Sequence, residues 1–367
     1  MRIALVHDWL NQYGGAERVL EVLHDMYPAA PVFASMYAPG RMPDAYRRWD
    51  IRTTFMQRLP GVTSRHQMYL LLYPFAFERL RLYDFDLVIS NSSGFCHGIQ
   101  KGAHTTHINY CLTPPRYVWS LEQYLNRERI GGVLRRVLRL FVPRLQRWDV
   151  QAASRVDRFV GISKAVVERI KACYGREADL IYPPVDTDGF HMAPKDELGD
   201  YFLVASRLVP YKRVDLAVRA FSELGLPLLV AGDGRDRPAL EAMAGPSVRF
   251  LGYVPQDELR RLLARCRAFL FPGEEDFGIA PVEAMASGRP VIAYAAGGAL
   301  DTVLEGRTGL LFHEQTPESL AHAVREFNDG EFDPASLRRF AEGFATPVFR
   351  EAFGRLVDRP VETKAGS

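Results

Sequence analysis

Short apolar runs, each followed by a helical pattern of apolar positions, recur along most of the chain. The clearest example lies in residues 269–294. An apolar run at residues 269–271 has the length of a buried strand. From Ile279 onward apolar residues recur at three- and four-residue spacing, which predicts a helix, and Gly288 ends that pattern. The apolar run at residues 291–293 predicts the next strand, so this part of the chain forms a strand–loop–helix–strand unit.

Strands and helices are predicted in alternation over the rest of the chain. Such alternation is typical of α/β proteins with parallel sheets, in which ligands bind at the carboxyl ends of the strands. The loops that follow the strands are therefore the expected places for function. Strands are predicted at residues 3–6, 32–35, 86–90, 107–110, 158–163, 201–206, 228–231, 248–254 and 309–312, and helices at 164–174, 317–328 and 334–344, followed by a terminal helix.

The loop before the helix at Ile279 carries the first candidate site. The helix begins near Gly278, where unpaired backbone N–H groups carry a partial positive charge that suits a phosphate. Glu275 and Glu283 flank this point. Because carboxylates repel a phosphate, their expected partners are hydroxyl groups, and phosphate together with hydroxyls suggests a nucleotide-sugar. The alternative is that the acids only complement the helix dipole.

Two cations follow the strand predicted at residues 201–206. Arg207 and Lys212 lie on a short loop at the carboxyl end of that strand. Two cations in such a position can neutralise a diphosphate. We therefore expect them to bind the charged part of a nucleotide ligand, and the alternative is a structural ion pair.

Three further motifs are weaker candidates for a functional site. Gly14 and Gly15 separate the first strand from the first helix, where glycines let the backbone approach a ligand, but the dinucleotide fingerprint is incomplete, which disfavours a nicotinamide site. Asp84 and Asp86 precede their strand and so lie at the wrong end of the sheet for a metal site. His97 follows a strand and its loop and could line a cleft, although a single histidine is more often structural.

Composition sets the broad class of the protein. The chain has 367 residues, of which 47% are hydrophobic and 25% charged, and this size allows two globular domains. The net charge of +2 gives no reason to expect a nucleic-acid partner. Four cysteines without metal-ligand spacing predict free thiols in a reducing compartment, and the N-terminal sequence does not match a signal peptide. We expect a cytoplasmic protein, with peripheral contact to the inner face of the cell membrane as an open alternative.

Residues 275–292 resemble a known signature. Glu275 and Glu283 in E-x7-E spacing, followed by the sequence AMASGRPVI, are similar to the signature of the retaining glycosyltransferases of family four (glycosyl transferases group 1), which have the GT-B fold. Arg207 and Lys212 resemble the R-x4-K pair of that family. The resemblance implies an α/β protein with two doubly wound, Rossmann-like domains that face a central cleft.

The resemblance also implies the domain organisation. Residues 1–190 are expected to form an N-terminal Rossmann-like domain on the acceptor side. Residues 191–345 are expected to form a C-terminal Rossmann-like domain that binds the nucleotide-sugar donor. The terminal helix, residues 346–360, is expected to pack back on the first domain. The polar residues 187–199 contain proline and glycine and are the expected linker.

The resemblance implies roles for the candidate residues. Arg207 and Lys212 would stabilise the leaving diphosphate, which makes them catalytic together with Glu275. Glu275 would hold the sugar hydroxyls and Glu283 the ribose. Because the cations are part of the chain, no metal and no cofactor are required. Further donor contacts are expected from Gly14, Gly15, Val254, Phe277, Gly278 and Ile279.

One position departs from the resembled pattern. Residues 110–119 are similar to a stretch of the mannosyl-type members, which favours mannose from GDP-mannose as the donor. Those members commonly have His where this chain has Leu112. A leucine can neither accept a proton nor hydrogen-bond a sugar. The sugar-side contact would then come from His97 or a backbone carbonyl, or the activity is altered.

Residues 127–148 form the most basic stretch. Seven arginines alternate with apolar residues at roughly helical spacing. A basic amphipathic helix suits the headgroups of an anionic membrane surface, and it suits equally an anionic acceptor such as a polyprenyl-diphosphate sugar. The alternative is an ordinary surface helix with one packed and one solvated face.

We therefore predict an enzyme, a retaining glycosyltransferase that moves a hexose from a nucleotide-sugar to a glycan or lipid-linked acceptor in cell-surface polysaccharide synthesis. The resemblance implies that the leaving phosphate takes the proton of the acceptor. The alternatives are a UDP-sugar-dependent transferase, a nucleotide-sugar epimerase on the same fold, a glycoside hydrolase that uses the two glutamates, and an inactive homologue that only binds sugar nucleotides.

Overall fold

The computed structural model describes residues 1–121 and 132–360. Part of the predicted basic stretch, residues 127–131, lies outside the described residues, as do the side chains at positions 133, 134, 137 and 138. The chain divides into two compact units, one formed by Met1–Tyr182 with the segment that begins at Arg350, the other by Pro183–Phe349. No helix in the described part of the chain is long and apolar enough to cross a membrane.

The first unit is built on a parallel sheet. Its strands are β1 (Ile3–His7), β2 (Val32–Ala34), β3 (Ile51–Thr53), β4 (Arg81–Leu82), β5 (Leu87–Ser92), β6 (Gln100–Lys101), β7 (Thr106–Cys111), β8 (Arg158–Gly161) and β9 (Ala178–Leu180). Seven of them form one sheet in the order β3-β2-β1-β5-β7-β8-β9, and β4 pairs with β6 separately. All of the register pairs are parallel, as the alternation of strands and helices predicts.

The helices of the first unit follow the apolar spacing. The α-helices are Gly15–Met26, Val62–Arg65, Tyr73–Glu78, Arg116–Trp119, Gly132–Ser154 and Lys164–Tyr174, and the 3-10 helices are Pro39–Arg41, Asp44–Arg48, Phe55–Arg58, His66–Leu72 and Cys96–Gly98. The helix predicted at residues 164–174 is confirmed. The Ser163 side chain caps it by accepting a hydrogen bond from the N–H of Val166, and Gly175 ends it in a left-handed conformation.

The terminal helix Thr346–Asp358 supplies core residues to the first unit. The side chain of Phe353 is fully buried, and its ring centroid lies 6.1 Å from that of Tyr110 in β7. Nη2 of Arg158 donates to the carbonyl of Arg359 over 3.2 Å. The helix is therefore held by aromatic packing and by hydrogen bonds at its end.

The second unit is built on a second parallel sheet. Its strands are β10 (Phe202–Ala205), β11 (Leu228–Ala231), β12 (Val248–Gly252), β13 (Phe269–Phe271), β14 (Val291–Tyr294) and β15 (Gly309–Phe312). They pair in the order β12-β11-β10-β13-β14-β15. The strand predicted at residues 248–254 is two residues shorter, because Gly252 has a φ of 70° and Tyr253, 82% exposed, has left the sheet.

Helices alternate with these strands. The α-helices of the second unit are Val214–Leu224, Arg237–Met243, Gln256–Arg265, Ile279–Ala286, Ala299–Thr302, Pro317–Glu326 and Pro334–Glu342, and the 3-10 helices are Lys195–Glu197, Pro210–Lys212 and Asp329–Glu331. The helix predicted from Ile279 is confirmed. Two later helices begin with a proline behind a side-chain cap, Thr316 for one and Asp333 for the other, and both end two residues earlier than predicted.

Both sheets reverse their strand order at one point. In the first unit the order reverses between β1 and β5, and in the second between β10 and β13. Loops on either side of such a switch point diverge and leave a crevice at the carboxyl edge of the sheet, where ligands bind. The predicted doubly wound, Rossmann-like architecture is confirmed, and it directs attention to the loops after these four strands.

Candidate functional site

The switch point of the second unit collects the predicted charged residues. Arg207 and Lys212 follow β10, and Glu275 follows β13, which is the neighbouring strand across the reversal. Glu283 lies on the helix Ile279–Ala286 that begins after the same loop. The structure therefore brings residues that are about seventy positions apart in sequence to one edge of one sheet.

Lys212 and Glu275 form an ion pair between Nζ and Oε1. Their side chains are only 15% and 21% exposed, so this pair is shielded more than an ordinary surface pair. Nζ of Lys212 also lies 5.4 Å from the ring centroid of Tyr211. Arg207 is exposed, and its Nη2 donates to the Tyr211 hydroxyl over 3.3 Å. Both cations thus lie next to one tyrosine, and a carboxylate holds Lys212 in place.

Gly273 explains how the two loops come close enough for this pair. A Cβ atom at position 273 would lie 2.8 Å from the carbonyl oxygen of Tyr211 and 2.9 Å from Cα of Lys212. Real Cβ contacts are longer, and the neighbouring atoms are backbone, so a side chain at this position would separate the loops. The absence of a side chain at Gly273 therefore lets Glu275 reach Lys212.

Arg213 connects the same two loops through hydrogen bonds. This role was not predicted from the sequence. Arg213 has a φ of 50°, an uncommon left-handed conformation for a residue with a side chain. Its guanidinium donates to both carboxylate oxygens of Asp215, at 3.0 and 3.2 Å, and to Gln315 Oε1 at 2.9 Å. Gln315 Nε2 in turn donates to the carbonyl of Pro272 over 3.2 Å. Nothing in the local sequence signals a bridge to position 315.

The helix Ile279–Ala286 begins without a side-chain cap. Its N-cap residue Gly278 has a φ of 87°, and a Cβ atom there would lie 2.6 Å from the ring of Phe271. The first N–H groups of a helix have no acceptors within the helix, so this end can bind an anion. Phe277, just before it, is buried, and Glu283 is 6% exposed. The helix start thus combines positive partial charge with a buried acid one turn further in.

The turn at Gly297 and Gly298 supports the loop that carries Glu275. The N–H of Gly298 donates to the carbonyl of Glu275 over 2.8 Å. A Cβ atom would lie 2.3 Å from that carbonyl oxygen if added at Gly297, and 2.2 Å from Cα of Phe277 if added at Gly298. The sequence indicates a turn at these glycines, but not which loop they contact.

Loops after neighbouring strands of this sheet lie close to the loop that carries Arg207. Gly232 approaches Ser206 so closely that an added Cβ atom would lie 1.8 Å from the Ser206 carbonyl oxygen. The N–H of Gly232 donates to the carbonyl of Gly252 over 2.7 Å. Val254, half-buried, follows in the loop after β12. Val254, for which a donor contact is predicted, therefore lies at the same edge, beyond the strands β10 and β11.

In the first unit the predicted glycine loop precedes the helix Gly15–Met26. Gly14 is the N-cap residue, and no side chain caps the helix. Glu17, in the first turn, is buried and lies 3.3 Å from Nε2 of His7 in β1. Burial, followed by a hydrogen bond to Glu21, raises the pKa of Tyr13 to about 12, so its hydroxyl stays protonated beside this loop.

Asp8 is a second residue that sequence reasoning missed. It follows β1 directly, and its carboxylate accepts from the N–H groups of Ser93 and Gly94 at 2.7 Å and of Cys96 at 2.9 Å. These bonds fix the loop after β5 against the loop after β1, at the switch point of the first sheet. The sequence contains one indication of this role, namely an acidic residue directly after the first strand.

His97 and Leu112 have different surroundings within the first unit. His97 is 2% exposed, and its Nε2 lies 3.1 Å from a carboxylate oxygen of Asp149, which is fully buried. The same carboxylate accepts from Trp119 Nε1 and from the Tyr174 hydroxyl. His97 is therefore part of an interior cluster. Leu112 is half-buried, and its N–H donates to Ser92.

Comparison with known protein families identifies both halves of the chain. Residues 13–188 match the family described as Glycosyltransferase Family 4, and residues 191–343 match the family described as Glycosyl transferases group 1. Together these matches cover both units of the fold. They agree with the resemblance carried by the E-x7-E and R-x4-K motifs.

Curated relatives of the chain are named as glycosyltransferases. It is 34% identical over 199 residues to a GDP-mannose-dependent alpha-mannosyltransferase of Mycolicibacterium smegmatis (49% of this chain, 52% of the relative). It is 29% identical over 241 residues to a D-inositol 3-phosphate glycosyltransferase of Streptomyces avermitilis (56% of this chain, 50% of the relative). The chain spans about half the length of the curated relatives it matches.

The fold is shared with HepE of Anabaena, whose crystal structure was solved in complex with UDP. The TM-score is 0.70 at 19% sequence identity, over 97% of this chain and 99% of HepE. The two sheets and their switch points thus define a protein of the GT-B class. The chain belongs to the glycosyltransferases of family four, and the family predicted from the sequence is confirmed.

A matched pair of glycines tests the support of the Glu275 loop. Gly297 and Gly306 have similar φ values, 59° and 68°, but an added Cβ atom meets nothing within 4 Å at Gly306. Both Gly→Ala substitutions carry left-handed strain of about 1–2 kcal/mol. Only Gly297→Ala also pushes the loop of Glu275. We expect calorimetric titration to show weaker binding of GDP or UDP for Gly297→Ala alone, and equal affinities in both variants would contradict this.

Proposed function

We propose that this protein is a retaining glycosyltransferase that takes a hexose from a nucleotide-sugar and transfers it to a hydroxyl group of an acceptor. The observation that carries the proposal is the meeting of Lys212 and Glu275 at the switch point, beside the uncapped start of the helix Ile279–Ala286. A cation, the N–H groups of a helix start and a carboxylate are the partners that a diphosphate and a sugar need at one place.

The main chemical task would be to stabilise the leaving nucleoside diphosphate. The bond between the sugar C1 and the diphosphate oxygen breaks, and the negative charge grows on that diphosphate. Arg207, Lys212 and the N–H groups at Ile279 would neutralise it, and such preorganised charges contribute most where charge develops in the transition state. The acceptor oxygen bonds to C1 on the same face, and its proton passes to the departing phosphate.

Glu275 would have two roles at this site, one without the donor and one with the donor bound. Without donor it holds Lys212, so the ammonium group is oriented before the diphosphate arrives. With donor bound, its carboxylate would accept hydrogen bonds from sugar hydroxyls, and Glu283 would accept those of the ribose. Val254 and Phe277 to Ile279 would provide the remaining donor contacts of the second unit, and Gly14 and Gly15 would approach the donor or acceptor from the first. His97 receives no donor contact in this proposal, because its ring is buried against Asp149.

GDP-mannose is the donor we favour. The support is the relative named as a GDP-mannose-dependent alpha-mannosyltransferase and the similarity of residues 110–119 to mannosyl-type members. A UDP-sugar is the second candidate, because the HepE structure holds UDP. We further propose a glycan or polyprenyl-diphosphate-linked acceptor of cell-surface polysaccharide synthesis. In this scheme the first domain takes the acceptor, the second takes the donor, and the protein works in the cytoplasm beside the membrane.

A donor panel tests the proposed function. A ligand that binds only the folded state raises its stability, so the matching nucleotide-sugar should raise the melting temperature more than the others. Radiolabelled donor with a membrane extract then separates transfer from the alternatives. Labelled glycan supports the proposal, whereas an epimer of the donor, free sugar only, or an unchanged donor would contradict it.

Lys212→Ala should lower kcat by roughly 10²–10³-fold, because removing one donor to the developing charge has costs of that order. Lys195→Ala is the matched control, since Lys195 is exposed on the short helix Lys195–Glu197. Steady-state kinetics with the donor identified above measures the effect. Near-normal kcat in Lys212→Ala would refute its charge-stabilising role.

The helix Gly132–Ser154 supports a further part of the proposal, contact with an anionic membrane surface. Arg136 and Arg139 are exposed on it, and Leu140, which follows Arg139, is 69% exposed. Replacing Arg135, Arg136 and Arg139 with Glu should weaken sedimentation with anionic vesicles, since each cation near such a surface contributes about 1 kcal/mol. Unchanged sedimentation would remove this helix from the proposal.

A further inference from the structure

A second exposed surface of the first unit has an apolar centre between two arginines. Met68, Leu72 and Phe75 are 65%, 37% and 48% exposed. They lie on the helical segments His66–Leu72 and Tyr73–Glu78, the first of which has a kink at Tyr69. We call these three residues the apolar stripe.

The opposite face of these segments is fixed in the core. Leu70, Tyr73, Ala76 and Phe77 are at most 4% exposed and belong to the core cluster of the first unit. The apolar stripe is therefore presented on a packed element. Helices bind a membrane interface through an exposed apolar face, and the apolar stripe offers exposed apolar side chains of this kind.

Arginines extend the stripe at both ends. Arg65 precedes Met68 by three residues, Arg79 follows Phe75 by four, and both are exposed. Within the described chain neither forms an ion pair, and Cζ of Arg79 lies 3.8 Å from the ring centroid of Phe75. Long cationic side chains next to apolar surface can place their charge among headgroups while the stem stays apolar.

The charge around the stripe is mainly positive. Between Asp50, which pairs with Arg52, and Glu78, which pairs with Arg155, the sequence contains three arginines and no acidic residue. An adjacent concavity of about 560 Å³ is lined by Arg2, Arg52, Arg79 and Arg81, with Asp84 as its acidic member. Arg79 belongs to both the concavity and the border of the stripe. The apolar centre and the place for a phosphate are thus side by side.

We propose that the apolar stripe and the arginines around it dock this protein on an anionic phospholipid bilayer. The stripe enters the headgroup region, and Arg65, Arg79 and Arg81 contact lipid phosphates. The surface consists of residues other than those of the helix Gly132–Ser154. It does not depend on the identity of the sugar donor, so its failure would leave the proposed sugar transfer untouched.

Vesicle sedimentation tests the apolar part. The full chain should sediment with vesicles of phosphatidylcholine and phosphatidylglycerol, and the triple variant Met68→Ser, Leu72→Ser, Phe75→Ser should bind roughly tenfold more weakly. The substituted side chains are exposed, so the variant should keep its melting temperature. Val348→Ser, at a 45% exposed valine of the terminal helix, is the control and should bind like the parent.

Charge reversal tests the arginines. Arg65→Glu with Arg81→Glu should weaken binding by roughly thirtyfold or more, because each arginine near an anionic surface contributes about fivefold. Arg307→Glu makes the same kind of change at an exposed arginine of the second unit and should have little effect. Vesicles of phosphatidylcholine alone should bind the parent protein weakly.

Insertion of the stripe can be measured directly. Phe75→Trp should gain tryptophan quenching by lipids brominated on their acyl chains, and Val348→Trp should not. Three results would overturn the proposal: no binding of the parent to anionic vesicles, equal binding of the parent and the triple variant, or equal quenching at positions 75 and 348. Binding to an acidic polypeptide such as polyglutamate but not to vesicles would also overturn it.

Discussion

The ion pair between Lys212 and Glu275 depends on two loops that must approach within contact distance at the point where the second sheet reverses its strand order. Two glycines and one arginine make this approach possible. Gly273 removes a side chain from the contact, and Gly297 supports the loop of Glu275. Arg213 ties both loops together through Gln315. The shape of the edge, more than any single charge, therefore brings cation, acid and helix start together.

The same principle operates in the first unit. Asp8 follows β1 and accepts hydrogen bonds from three backbone N–H groups after β5, again across a reversal of strand order. In both units a polar side chain from one side of the switch point fixes the loop on the other side. Such fixed loops suit a function that requires charges to be in place before the ligand arrives, because reorganisation would otherwise reduce the stabilisation they provide.

Much of this could be predicted from the sequence, because the strands are continuous apolar runs and the loops carry motifs. The strand at residues 269–271, the helix that begins at Ile279 and the position of Arg207 and Lys212 after a strand were all predicted, and the structure has them there. Local spacing, however, contains no information on long-range partners. The bond of Arg213 to Gln315, the burial of His97 against Asp149 and the exposed side of residues 65–79 appear only when the chain is folded.

The most direct test of the account is a crystal structure of the protein with a bound nucleotide-sugar. The account predicts that the diphosphate lies within hydrogen-bond distance of Lys212 Nζ and of the backbone N–H groups at the start of the helix Ile279–Ala286, with the sugar beside Glu275 and the ribose beside Glu283. A donor bound elsewhere, with the Lys212–Glu275 pair unchanged and no phosphate at the helix start, would contradict it.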